Sequence, residues 1–355
     1  MNRTRRSLVV IALAVLAGGT ALLAAGHHLG WRLPGSSISR LASLPNLAAL
    51  APADSNLVVF ADLAALRASP LIDHLKGMAP SAPPDADYLA FQRATGFDYQ
   101  HDLDKVVLAS DEVNGKPEMV AIAEGRFDRQ KIRSYALASG KLEHHGGLEI
   151  YLLPSGTPGT PQAKTIALAF LSDTRIAFSD SGNLDSFLSP PDATSTAQSS
   201  PAAGELSLDD RVSRAADSPL FVIARVPDEP ANWTPGGVHS EQLDDLVRAI
   251  RWIDITVAPQ VGRLHIQLEG ECVDQDKATS LEGTLTGLRF LAEAYLGTPS
   301  AQKQFKPAYI TNTRQLLDSA VVTHNDRWVS ISVDVTQDLL KTGLQPSPQT
   351  PPQPK

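Results

Sequence analysis

A chain of 355 residues has room for two domains of ordinary size, and 43% hydrophobic with 20% charged residues is the balance of a protein that folds. The formal net charge of −8, with no run of Lys and Arg after the first six residues, excludes a nucleic-acid binder built on phosphate contacts. The lone Cys272 excludes an intramolecular disulfide and a zinc site of several thiolates, and it follows a predicted strand, where a small thiol serves as a core hydrophobe.

Arg3, Arg5 and Arg6 precede Leu8–Gly26, an uncharged run of Leu, Val, Ala, Ile and Gly broken only by Thr20. About 20 such residues span a bilayer core of ~30 Å, so residues 7–26 are expected to form a transmembrane helix whose arginines stay in the cytoplasm. The bulk of the chain is then extracytoplasmic, periplasmic in a two-membrane envelope. A cleavable signal peptide ending near Ala17–Gly19 is the competing reading, but Leu22 and Leu23 continue the apolar run past that point and favour a signal anchor. A lipoprotein is excluded because the apolar run does not end in cysteine. Trp31 fits headgroup depth, and His27 and His28 flank the span without a third ligand nearby.

Residues 1–31 therefore hold the cytoplasmic arginines and the membrane helix, and 32–50 form a spacer interrupted by Pro34, Gly35 and Pro45. The compact apolar run Asn56–Ala61 predicts the first strand, and Leu63, Leu66 and Leu71 give helical spacing that Pro70 interrupts. A short helix over Tyr88–Thr95 ends at Gly96. Strands Lys105–Ala109 and Glu118–Ala123 make a hairpin across Asn114-Gly115. Asp128 is placed to cap a helix over Phe127–Ala138, and strands Leu148–Leu153, Thr165–Leu171 and Arg175–Phe178 follow.

Residues 189–204, rich in Ser, Pro, Ala and Thr, read as a linker between a first α+β unit at 51–188 and a second at 205–343. The second unit repeats the order of the first: strand Leu220–Val226, helix Gln242–Ala249, strands Trp252–Val257 and Arg263–Glu269, and a long helix Asp274–Leu296. "SPLFVIARV" from Ser218 echoes "SNLVVFADL" from Ser55, and "IQLEGECVDQDK" from Ile266 echoes "AIAEGRFDRQK" from Ala121, so an internal duplication is expected. In the long helix, Ala278, Leu281, Leu285, Leu288, Leu291 and Tyr295 share one face, the stripe of a helix laid across a sheet. A helix over Ala301–Leu317 interrupted by Pro307, a hairpin of Ala320–Thr323 with Trp328–Asp334, and a short helix Gln337–Thr342 complete the unit. The Pro- and Gln-rich stretch 344–355 reads as a disordered tail. The fold class is α+β: two related units with mostly antiparallel sheets covered by helices, after an N-terminal transmembrane helix.

No Gly-rich phosphate loop, nucleophile elbow or zinc-protease helix motif occurs in the sequence. The residues best suited to a divalent metal are Asp98, His101, Asp102 and Asp104 in "GFDYQHDLD", weighed against a loop whose acids cap local amides. His144-His145-Gly146-Gly147 reads as a polar turn between helix and strand. Glu241, Asp244 and Asp245 open a predicted helix, where acids complement the dipole. No catalytic residue, cofactor or metal site is assigned.

Three stretches carry a family resemblance: "PADSNLVVFADLAALRASPL" from Pro52, "DADYLAFQRATGFDYQHDLDKV" from Asp85 and "AEGRFDRQKI" from Ala123. In these the chain resembles uncharacterised membrane-anchored bacterial proteins, and it is distantly similar to exported domain-of-unknown-function families with a Pro-Ala-Asp segment before the first strand. The resemblance implies export and anchoring, with no activity or site residue attached. The expectation is a non-catalytic, extracytoplasmic, membrane-anchored interaction or scaffold protein with an envelope protein as partner. The alternative is an exported hydrolase or metal-dependent enzyme working through the 98–104 loop.

Overall fold

The computed structural model describes residues 47–52, 55–69, 86–113, 116–145, 148–155, 164–184, 205–226 and 248–342. The expected membrane span at 7–26, the linker at 189–204, the tail at 344–355 and the acidic residues Glu241, Asp244 and Asp245 lie outside these residues. Among the described residues no helix is long and apolar enough to cross a membrane. The protein is α+β, with mostly antiparallel strand pairing and packed helices.

The described residues fall into two compact units, one within 47–68 and 86–223 and the other within 224–342. In the first, strands β1 (Leu57–Asp62), β2 (Leu103–Val113), β3 (Lys116–Gly125), β4 (Lys141–His145), β5 (Leu148–Ser155), β6 (Lys164–Phe170) and β7 (Arg175–Ser179), with β8 (Leu220–Arg225) through Ile223, run in the order β8-β1-β2-β3-β7-β6-β5-β4. β2 and β3 are longer than the apolar runs that predict them, because ladder pairing from Leu103↔Gly125 to Val113↔Lys116 carries polar residues along.

Its helices are α1 (Leu63–Arg67), α2 (Ala86–Thr95), α3 (Tyr99–Asp102), α4 (Arg129–Ser139) and α5 (Leu208–Ala215). Asp128 caps α4, its Oδ1 accepting the Lys131 amide at 3.1 Å. α5 starts with a capping box, Ser207 and Asp210 bonding reciprocally to each other's backbone amides.

Residues 205–223, assigned from sequence to the second unit, pack with the first. Pro219 O accepts the Asp62 amide at 2.7 Å, and Phe221 stacks on Phe60 with ring centroids 5.1 Å apart. The described residues 205–223 thus group with the first unit. Strand β4 departs from the polar turn expected around His144 and His145. The sequence KLEHH has little apolar content, and its extended form comes from pairing with β5, Lys141↔Leu152 through His145↔Leu148.

The core of this unit follows the two-residue period of its strands. Tyr151, Leu168, Phe170 and Ile176 face Ile132 and Ala136 of α4, with Phe91 and Phe127 alongside. Their neighbours Ile150, Ala167, Ala169 and Ala177 point the other way and gather with Val120 and Leu184.

In the second unit β9 (Ile250–Gln260), β10 (Arg263–Cys272), β11 (Val321–Asn325) and β12 (Trp328–Thr336) run in the order β9-β10-β12-β11, antiparallel throughout. The helices are α6 (Gln275–Leu296), α7 (Pro299–Gln304), α8 (Pro307–Ser319) and α9 (Gln337–Thr342). The expected helix over Ala301–Leu317 is two helices, α8 restarting with Pro307 at its first turn, where the missing amide proton is no loss. Leu264, Val335 and Leu339 form one cluster with Leu316, and Cys272, Ala278, Leu281 and Val329 form another with Leu285. Burial pushes the Cys272 thiol up to about 11, as expected of a cysteine used for packing.

In each unit a hairpin leads into a helix, and the last strand of the next antiparallel run returns beside the hairpin's second strand: β7 beside β3, β12 beside β10. The first unit has two more strands in that run.

At the β3 end, a Cβ on Gly125 would lie 2.1 Å from the Asp102 carbonyl oxygen, whereas one on Gly287 of α6 would meet nothing within 4 Å. Gly125→Ala is expected to destabilise by about 1–3 kcal/mol through overpacking against backbone. Gly287→Ala should stabilise by up to about 1 kcal/mol through helix propensity. Urea unfolding of the two variants checks this, and shifts of the same sign would contradict it.

Candidate functional site

The four residues of the 98–104 loop are held by local structure. Asp98 caps α3: its Oδ1 accepts the Gln100 amide at 3.0 Å and its Oδ2 lies 2.7 Å from His101 Nδ1. Asp102 Oδ2 accepts the Asp98 amide at 2.9 Å, and its Oδ1 is 3.3 Å from Arg126 Nη2. Asp104 turns to a different partner, Arg67, whose Nη2 donates to Oδ1 at 3.0 Å while Nη1 donates to the Gln100 and Leu103 carbonyls. Asp98 and His101 meet, Asp102 braces the same turn, and Asp104 belongs to the Arg67 clamp. Tyr88 donates to Asp98 at 3.4 Å, and burial with that carboxylate beside it pushes the phenol up to about 12. Among the described residues no three His, Cys, Asp or Glu side chains are grouped to hold a metal ion.

His144 takes part in a different site. It sits on β4 opposite Glu149 of β5 and lines an open cleft of about 460 Å³ with Arg129, Arg133, Leu148, Glu149 and Phe170. Arg129 and Arg133 are one helical turn apart on α4 and so project together. Arg133 donates to Glu149 Oε1 at 2.9 Å, Tyr151 donates to Glu149 Oε2 at 2.6 Å, and the Arg129 guanidinium lies 5.1 Å over the Phe170 ring. The Tyr151 hydroxyl, then Arg133, His144 and Arg129, hold the Glu149 carboxyl below the usual range. Burial, with the bond to Glu149, pushes the Tyr151 phenol up. No spacing in the sequence announces this cluster, since its members come from α4, β4, β5 and β6.

A second carboxylate–imidazole pair escapes sequence reasoning for the same reason. His265 and Asp334 are cross-strand neighbours on β10 and β12, with Nδ1 and Oδ1 at 2.9 Å, and Arg263 occupies the other carboxylate oxygen at 2.9 Å. Ser319 Oγ bonds to the Asp334 backbone instead of its carboxylate.

The long helix α6 presents the largest apolar exposure. Its N-terminal half packs as the stripe predicts, Ala278 and Leu281 buried and Leu285 against the same cluster. Leu288, Leu291 and Tyr295, expected to continue across the sheet, are instead 48%, 66% and 44% exposed, with Phe290 at 70%. The helix lies on β11, β12 and β10, and the buried contacts are confined to its N-terminal half. The charges along this stretch are tied: Glu282 to His324 at 2.8 Å, Arg289 to the Ala320 carbonyl at 2.6 Å and to Glu293 at 3.4 Å. What remains exposed between Gly283 and Tyr295 is uncharged: Gly283, Thr286, Gly287, Leu288, Phe290, Leu291, Ala294 and Tyr295.

No family model and no curated protein matches this chain. Among solved structures it is similar to three crystal forms of TP0453. Form III is 9% identical with a TM-score of 0.43, covering 84% of this chain and 97% of that one. Form IV is 8% identical with a TM-score of 0.40, covering 83% and 94%. Form I is 10% identical with a TM-score of 0.36, covering 85% and 97%. Likeness at this level says nothing of activity.

The Glu149 network makes a pH prediction. Because its carboxyl titrates below the ordinary 4.5 in the folded chain, its stabilising contribution is complete above that pH and is lost as pH falls through the depressed value. Tyr151→Phe removes the leading cause, so the fall in thermal midpoint on acidification below 4.5 should be shallower in the variant. Midpoints followed from neutral pH into that acid range check this, and parallel curves would contradict it.

Proposed function

We propose that this protein is a non-catalytic interaction or scaffold protein of the cell envelope, anchored by residues 7–26 with its folded bulk outside the cytoplasm. The observation that carries this reading is the uncharged face of α6, where Leu288, Phe290, Leu291 and Tyr295 stand exposed beside two glycines that no neighbour among the described residues requires. Contiguous exposed apolar surface of this kind marks a protein contact, and glycine in a helix interior costs stability unless close approach of another backbone uses it. The resemblance to exported, membrane-anchored bacterial proteins points the same way.

We also read the two units as a duplication. The matched hairpin, helix and returning strand support it, and the two additional strands of the first unit are then a later insertion. The alternative of an exported hydrolase or metal-dependent enzyme has less behind it, because the side chains of the 98–104 loop are engaged by backbone amides and by Arg67 and Arg126.

Site-specific photocrosslinking in membranes tests the interaction. A crosslinker at Phe290 or Leu291 should trap one partner of defined mass, one at Lys277 on the same helix should not, and Leu288→Glu should abolish the product. Equal trapping at all three positions, or none at 290 and 291, would overturn the reading. Topology is checked separately: a reporter fused after Lys355 should be active only if it works outside the cytoplasm, and the chain should stay in membranes washed with alkaline carbonate. Cytoplasmic reporter activity would reject export.

A further inference from the structure

We propose that the cleft between α4 and the strands β4–β6 binds a phosphate monoester, the phosphate seated among Arg129, Arg133 and His144 and the ester group against Leu148. The charge count inside the cleft points to an anion. Among the described residues Glu149 is the one carboxylate lining it, and both its oxygens are already occupied, Oε1 by Arg133 and Oε2 by the Tyr151 hydroxyl. One guanidinium therefore balances it, leaving Arg129 in excess, with the His144 imidazole beside it as a further hydrogen-bonding group. Asp173 lies 3.6 Å from Arg129, but its side chain is 94% exposed, so solvent screens that pair and an incoming anion can replace it.

The geometry is suited to recognition. Stacking on Phe170 fixes the plane of the Arg129 guanidinium while leaving its edge donors for a ligand, and planar forks are matched to phosphate oxygens. Arg133, held at one end by Glu149, presents its remaining donors from a fixed position. The cleft, about 460 Å³, exceeds what a bare phosphate fills, and the half-buried Leu148 at its wall is the surface an ester group would cover, Phe170 lying buried beneath Arg129. The site is remote from α6 in function as well as in sequence, so its test does not depend on the interaction reading.

Titration of the full chain with phenyl phosphate at low ionic strength, followed calorimetrically, tests the site. Saturable binding is expected, weakened about tenfold or more by Arg129→Gln and by His144→Gln and unchanged by Lys277→Gln, each lost charge-assisted bond being worth about a factor of ten or more. Arg129→Gln is expected to keep its fold, since its contacts are a ring face and one exposed carboxylate, and unaltered thermal unfolding would confirm this. Displacement by inorganic phosphate at equal phosphate concentration marks a small soluble ligand, and displacement only by phosphatidate vesicles marks a lipid headgroup; either supports the site. Absence of saturation, or equal weakening by Arg129→Gln and Lys277→Gln, would overturn it.

Discussion

The return of one strand to the hairpin that precedes it is the constraint on which each unit depends. In the first unit β7 pairs with β3 from Val120↔Ser179 to Glu124↔Arg175, and the Arg175 guanidinium locks the end of that ladder on Glu124 at 2.8 Å. That pairing fixes which side of β6 and β7 faces α4. A slip of one residue would exchange Leu168, Phe170 and Ile176 for Ala167, Ala169 and Ala177 on the helix side and leave Ile132 and Ala136 without large partners. In the second unit β12 beside β10 does the same, placing Val329 and Val335 under the helices.

Polar groups follow from that scaffold. The pairing of β4 with β5 sets His144 opposite Glu149, and the same register puts Tyr151 two residues along β5, within reach of Glu149. α4, oriented by packing Ile132 and Ala136 inward, then turns Arg129 and Arg133 toward the strands. The cleft is thus a by-product of core packing on α4 and the strands β4, β5 and β6, with both oxygens of the carboxylate at its centre engaged. The 98–104 loop shows the opposite arrangement. Its carboxylates face amides of the same turn and the arginines Arg67 and Arg126 brought in from α1 and the end of β3, so their charge is spent on holding the loop.

Helix α6 separates two properties that sequence patterns join. Its apolar stripe has one periodicity from end to end, yet the first half is core and the second half is surface. Periodicity states which residues share a face; the tertiary packing decides how much of that face is covered. The exposed half is therefore available for an occupant outside the unit.

The sequence by itself determined most of the elements, because their signals are local. Short apolar runs mark β1, β5, β6 and β7, Asp128 and Asp274 sit where α4 and α6 need caps, and Pro307 marks the break between α7 and α8. α5 was also legible in principle from Ser207 and Asp210, a reciprocal cap with an aspartate in place of the commoner glutamate. Tertiary structure alone decided the rest. β4 is a strand only because β5 offers it a ladder, residues 205–223 join the first unit because Phe221 finds Phe60, and the Arg129, Arg133, His144 and Glu149 cluster exists only once the register of distant strands is set. Side-chain chemistry is written residue by residue, but which side chains meet depends on pairings between segments whose separation along the chain carries no signal.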